Sequence, residues 1–256
     1  MTGLHATWRT LHAFLVRDLV AQFGRHNIGF LWVVLEPMIL CTGVAGMWYI
    51  MKPEYMHGVP VLTFVITGYM PLTLFRHLTG PFARIFRRAT PLMVHRQLDL
   101  MDIFVSRVVV EFAGTSLAFM IIFAFLYFTG LTGNIADYRL VVFGWLLLAL
   151  FSTSLAACIA TASEYSEAVA HFISPFQYLS VPLAPIFYMV DWLPQGAQDV
   201  LAYSPLSHPY EMIRAGFFGD LVETHYDAKF TLAWSLVFLG IGFWCIEAVR
   251  DRLHDV

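Results

Sequence analysis

Residues 140–162 contain no charged side chain. A bilayer core about 30 Å thick takes about 20 helical residues, so a run of this length and apolarity reads as a helix crossing a membrane. The pattern recurs along the chain, and we place about six spans, over residues 30–51, 59–78, 103–129, 139–162, 168–190 and 229–249. Composition agrees, because 59% of the residues are hydrophobic and only 13% charged, where soluble domains carry about 25% charged residues. A soluble core could not hide that much apolar surface. The expected fold class is therefore an all-α polytopic membrane protein, one transmembrane domain over residues 1–256. Cys41, Cys158 and Cys245 are far apart, each inside an apolar run. That argues against a disulfide framework and against a zinc site.

Net charge is uninformative, but its distribution is not. Six spans put both termini on one side. Nine basic residues fall on that side, among them Arg17, Arg25, Arg84, Arg87, Arg88, Arg96 and Arg250, against four on the other. The positive-inside rule then places both termini in the cytoplasm. Acids gather on the opposite side, where Asp191, Asp199, Glu211, Asp220, Glu223 and Asp227 lie between the fifth and sixth spans.

The first span is preceded by a basic, amphipathic segment. Over residues 8–25, Trp8, Leu11, Leu15, Leu19 and Phe23 share roughly one helical face, with Arg17 and Thr10 opposite. This suits a helix lying in the membrane interface; the first helix of a soluble cap is the alternative. Gly24 and Gly29 flank the change from this segment to the spanning one, where glycine lets the chain turn without a Cβ clash. Trp32 sits at the boundary, and no cleavable signal peptide is expected.

Residues 81–101, between the second and third spans, form the longest cytoplasmic loop. Its basic cluster is interleaved with Ile85, Phe86, Leu92, Met93 and Val94, followed by His95 and Arg96. That is too apolar for a free solvated loop, so we expect a short helix packed on a protein partner. A topogenic basic loop against lipid headgroups is the alternative. Asp99 and Asp102 resemble a carboxylate pair but also suit the N-terminus of the third span, where acids complement the helix dipole. Arg107 and Glu111 are i,i+4 neighbours able to pair. Glu36, beside Pro37, is either functional or a structural group at a kink. In the fourth span, Ser152, Ala156 and Ala160 form one row of small residues and Thr153, Ala157 and Thr161 another, which points to close helix packing.

Residues 168–190 hold Pro175, Pro182 and Pro185, and residues 193–218 follow with a mixture too polar to span and too apolar for a plain loop. We expect short re-entrant helices there, with Trp192, Tyr203, Tyr210 and Arg214 as the residues of interest. Irregular backbone at membrane depth is tolerated only where it is packed in protein or lines a polar cavity. A small capping domain on the outer face is the alternative.

Several chemistries are missing. The chain has no G-x-x-x-x-G-K-[ST] phosphate loop, no H-E-x-x-H and no G-x-S-x-G, and its ten histidines show no ligand spacing. We expect no metal site and no cofactor bound by the chain itself, and no nucleic-acid face. Its 7 Trp, 11 Tyr and 23 Phe suit boundary anchors, and would also suit a path for sugars.

The stretch RDLVAQFGRHNIGFLWVVLEP is similar to the start of the membrane permeases of ABC exporters for capsular polysaccharide, in the Gram-negative branch. FQYLSVPLAPIFYMVDWLPQ and SPLSHPYEMIRAGFFG resemble the same family's segment after its fifth span. The resemblance covers essentially the whole chain; the nearest relatives outside the branch are O-antigen and teichoic-acid permeases. It implies a homodimer in the inner membrane, with two copies of a separate ATP-binding subunit that uses ATP and Mg. It implies a lipid-linked, usually acidic polysaccharide moved outward between the protomers, on to a periplasm-spanning partner and an outer-membrane channel. Residues 8–25 would be the gate helix, 81–98 the coupling loop and 193–218 the re-entrant helices. On that basis Arg17, Arg25, Trp32, Arg84, Arg87 and Arg88 are expected at the entrance for the lipid anchor. Ile85, Phe86, Leu92, Met93, Val94, His95 and Arg96 are expected to face the ATPase. The rival from another class is a lipid-linked sugar transferase, for which Asp99 and Asp102 are the sole candidate acids; a membrane scaffold would leave the charged loop unexplained.

Overall fold

A computed structural model describes residues 28–52, 54–87 and 99–254. The expected interfacial helix over 8–25, and with it Arg17, Arg25, Arg88, Leu92, Met93, Val94, His95 and Arg96, lies outside the described residues.

Helix α1, Ile28–Met51, runs through Pro37 and ends at a two-stranded hairpin, β1 Tyr55–Met56 and β2 Val59–Pro60. The antiparallel register pairs Tyr55 with Pro60 and Met56 with Val59. The two linking residues, His57 and Gly58, both have positive φ (51° and 85°), as a type I′ turn between right-twisted strands requires. Helix α2, Val61–Thr79, continues as a 3-10 turn over Gly80–Arg84. Helix α3, Leu100–Phe128, starts at Asp99, whose carboxylate accepts the Met101 N–H, with Asp102 in the first turn. Asp99 thus takes the capping role. Helix α4, Tyr138–Tyr165, is capped in the same way by Asp137, which accepts the Arg139 N–H at 2.8 Å.

Helix α5, Glu167–Leu179, is only 13 residues long. At about 1.5 Å per residue that is roughly 20 Å, short of a bilayer core. Pro182 and Pro185 follow and withhold N–H donors, so the chain goes on through 3-10 turns at Val181–Leu183 and Val190–Trp192. Two short helices come next, α6 Gln195–Ala202 and α7 Ser207–Phe218, and then α8, Ala228–His254. Among the described residues five helical stretches are long and apolar enough to cross a membrane: α1, α2 with its 3-10 extension, α3, α4 and α8.

Helix α4 is the hub, packing on α2, α7, α8 and the 80–84 turn. Its small-residue rows make this possible. Ala156, Ala157 and Ala160 are buried against Phe82, Phe86, Ile246 and Val249, so the rows serve packing within the chain. An ideal Cβ at Gly242 of α8 would lie 2.5 Å from the Ala157 Cβ, so the two helices meet where neither has bulk. The larger core joins α1, α2, α3, α4 and α7 around Phe64, Phe75, Leu148 and Tyr210.

Candidate functional site

Polar groups concentrate at the two ends of the bundle and at one point between them. The intermediate point is a triad with Glu111 buried and Arg107 and His77 partly so. Glu111 pairs with Arg107 one turn away on α3 and takes His77 Nδ1 of α2 at 3.0 Å. The i,i+4 pair was legible from spacing; the histidine was not, because it comes from another helix.

At the end that holds α6 and α7, the problem is the irregular chain over 180–190, whose backbone groups lack helical partners. Arg214 of α7, fully buried, donates through Nη1 to the Tyr188 carbonyl and through Nη2 to the Ile186 carbonyl at 2.8 Å. Its guanidinium lies 4.4 Å from the Phe64 ring centroid. One turn earlier Glu211 accepts the N–H groups of Val190 and His225, each at 3.3 Å. Burial pushes the Glu211 carboxyl up, while Arg214 and those two N–H groups draw it back. Gly68 of α2 makes room, since a Cβ there would lie 2.0 Å from the Ile186 carbonyl oxygen and 2.9 Å from Arg214 Nη2. His208, at the start of α7, accepts the Asp227 N–H at Nδ1 and meets the Ala202 carbonyl with Nε2, both at 3.1 Å. Nδ1 can accept only when it carries no proton, so the ring is neutral with the proton on Nε2. Burial lowers its pKa.

Of the four residues expected here, Arg214 and Tyr210 are wholly internal. Trp192 stacks on His57 at 4.3 Å and on Phe64 at 5.1 Å, tying the hairpin to α2. Only Tyr203, 80% exposed, faces outward. Sequence reasoning missed Glu211 and His208. The i,i+3 spacing of Glu211 and Arg214 was a usable signal; nothing local marked His208.

The opposite end gathers the close of α2, the start of α3 and the ends of α4 and α8. Ile85 and Phe86 were expected to face a partner, and here the structure corrects the expectation. Ile85 is 9% and Phe86 0% exposed, packed in the chain's own core with Phe104, Ala160 and Ile246. The small face of α4 offers them a complementary surface within the chain itself. Arg87 is also taken up internally. It donates to the Ser163 carbonyl at 3.0 Å and lies 3.9 Å from Glu164 and 3.5 Å from Glu167. Arg250 reaches Asp99 at 3.6 Å, joining α8 to the start of α3.

Arg84 differs. It is exposed, with Nη2 3.5 Å from Nδ1 of His171 on α5. Arg76 lies over the Tyr178 ring at 5.0 Å. Gln177 fixes this seam by donating to the Arg76 carbonyl at 3.1 Å and to Thr79 Oγ1 at 2.8 Å. Trp32 is 46% exposed on α1, and Glu36 is half-buried beside the buried Pro37.

Residues 9–218 match the family model described as ABC-2 type transporter. The chain belongs to the ABC-2 type transporter family. It is 30% identical over 234 residues, 91% of this chain and 88% of the relative, to the capsule polysaccharide export inner-membrane protein CtrC of Neisseria meningitidis serogroup A. It is 28% identical over 239 residues to the capsule polysaccharide export inner-membrane protein BexB of Haemophilus influenzae, covering 93% of this chain and 90% of that protein. The polysialic acid transport protein KpsM of Escherichia coli is 22% identical over 254 residues, 95% of each chain. An ABC-2 chain is the membrane subunit of a transporter rather than an enzyme, and its family implies an ABC ATPase partner.

Proposed function

We propose that this ABC-2 subunit exports a lipid-linked capsular polysaccharide across the inner membrane, driven by ATP hydrolysis in a separate subunit. The observation that carries the reading is full-length similarity to capsule and polysialic acid exporters, with over nine-tenths of this chain aligned to each. The working unit is a pair of these chains with a pair of ATPase subunits, which hold the ATP and Mg. Helix α5 and the irregular stretch to Val190 together make the sixth crossing, leaving both termini in the cytoplasm. A periplasm-spanning protein and an outer-membrane channel take the polymer onward.

With Ile85 and Phe86 buried in the subunit itself, contact with the ATPase falls to Leu92, Met93, Val94, His95 and Arg96. Arg87 is neutralised within the chain, so the entrance for the anchor is assigned to Arg17, Arg25, Trp32, Arg84 and Arg88. The test is deletion of the chain in its host, followed by fractionation of the polysaccharide. Polymer made and trapped inside the cell is the expected result. Polymer absent altogether would move the chain to a synthetic role, and polymer at the surface as usual would overturn the assigned cargo.

A further inference from the structure

Two polar ties hold α2 to α3 and the loop that follows it. Toward the ends joined by residues 88–98, His77 Nδ1 of α2 lies 3.0 Å from Glu111 Oε2 of α3, and Arg107 pairs with the same carboxylate. At the far end, Thr63 Oγ1 of α2 meets Thr132 Oγ1, in the loop after α3, at 2.7 Å. At about 1.5 Å per residue the two ties stand about 21 Å apart along α2. We propose that they lock α2 and α3 into one lever that carries the movement of the ATPase into the subunit, with His77 and Glu111 as its positioning residues. The proposal deepens the export reading and rests on it, because residues 88–98 include those assigned above to the ATPase contact.

The depth of the triad is the deciding observation. Glu111 lies about 16 Å along α3 from Leu100, well inside a bilayer core about 30 Å thick. Its side chain is 6% exposed, against 11% for Arg107 and 18% for His77. Ionisable side chains at such depth are costly and mark a functional position by default. Stability does not account for them, because apolar side chains of similar size often hold two helices as well or better. What apolar side chains do not supply is direction. Hydrophobic packing is non-directional, so by itself it leaves α2 and α3 free to slide. The bond to Glu111 opposes sliding. The carboxylate accepts, so His77 Nδ1 carries the proton, and Arg107 holds the other carboxylate oxygen from one turn away. A slide of one helical turn, about 5.4 Å, would take His77 and Glu111 out of reach of each other.

The lever also has somewhere to deliver its movement. Gln177 of α5 donates to the Arg76 carbonyl at 3.1 Å and to Thr79 Oγ1 at 2.8 Å. Arg76 and Thr79 flank His77 within one turn of α2, so the broken crossing that begins with α5 is fastened to α2 beside the triad. Between the two ties, Met70 and Phe75 of α2 and Ala118 and Ile122 of α3 belong to one core. A movement entering at the ends joined by residues 88–98 therefore reaches α5 through the same stretch of α2 that Glu111 holds in register.

The test uses the full chain assembled with its ATPase subunit. ATP hydrolysis is measured on the purified complex in proteoliposomes, and export in cells by fractionation of the polysaccharide. His77→Phe keeps a ring at the position and removes the bond, while Glu111 retains Arg107. We expect hydrolysis to stay at or above the wild-type rate and export to fall by about tenfold or more, the scale of a lost charge-assisted hydrogen bond. His77→Asn, whose amide N–H stands close to the place of Nδ1–H, should keep export within about threefold of wild type. Thr63→Val removes the other tie at constant shape and should lower export per ATP by a smaller factor. Wild-type export in His77→Phe would overturn the lever. So would hydrolysis and export falling together, which would mean a general structural role, or His77→Asn as impaired as His77→Phe. Thermal unfolding in detergent shows which variants fold; if His77→Phe does not, Thr63→Val decides, and unchanged export per ATP in that variant overturns the lever. If His77→Phe exports normally while deletion of the chain traps polymer, the lever falls and the exporter reading stands; if deletion traps none, the exporter reading itself falls.

Discussion

Arg214 lies within α7 and Arg84 at the end of the 3-10 turn after α2, and they are used in opposite ways. Arg214 is buried, with its guanidinium spent on two carbonyls of its own chain and on the Phe64 face. Arg84 is exposed, and its near neighbour is the His171 imidazole rather than an acid. A buried charge that leaves backbone groups satisfied is a structural device, because removing it strands those groups. An exposed charge with no counter-charge among the described residues contributes little to folding. The difference separates two arginines that composition and span position treat alike.

The comparison breaks most visibly at Arg214. Arg214→Gln should lower stability by about 3–5 kcal/mol, the scale for breaking one side of a buried charged network. Arg214→Lys should recover only part of this, because an ammonium cannot reproduce a fork aimed at two carbonyls. Thermal unfolding in detergent measures both, and a loss below about 1 kcal/mol for Arg214→Gln would remove the bracing role. Gly68→Ala should cost less, about 1–3 kcal/mol, the range for overpacking. Its new methyl would meet the Ile186 carbonyl oxygen, 2.0 Å away in the unrelaxed geometry, and the backbone must shift to relieve it. The same melts read this variant, and an unchanged midpoint would mean that the 186 segment yields freely.

The smallest effect concerns His208. Its pKa is depressed from the ordinary 6.5 by burial, so the unfolded chain takes up a proton at this residue before the folded chain does. Its contribution is therefore fully present above about pH 6.5 and declines as pH falls toward the depressed folded value. A melting midpoint that drops between about pH 7.5 and about pH 5.5 in the wild type should drop less in His208→Gln. Parallel profiles would mean that the bond from the Asp227 N–H to Nδ1 does not hold the ring neutral.

Much of this was legible beforehand for one reason: long uncharged runs have a single solution in a bilayer. The helices α1, α2, α3, α4 and α8 follow from them, and Asp99 as a cap and Arg107 with Glu111 as a pair follow from spacing along one helix. Local pattern also marked 168–218 as broken, through its prolines and its mixed polarity. The burial of Ile85 and Phe86 was not legible, since an apolar residue in a basic loop reads the same whether it meets a partner or its own α4.

The sequence by itself thus determined that the chain is a helical membrane protein, where its long helices run and which family it resembles. Each of these depends on the composition or periodicity of a single segment. Only the tertiary structure decided which charges are consumed and which are left over. Glu211 and Arg214 meet carbonyl and N–H groups of residues 186–190 and 225, and Arg87 meets acids at the junction of α4 and α5 while, among the described residues, Arg84 meets a histidine. Those outcomes depend on which helix lies beside which, and the physical reason is the range of the forces: a hydrogen bond or ion pair is decided within about 4 Å, between residues far apart in the chain.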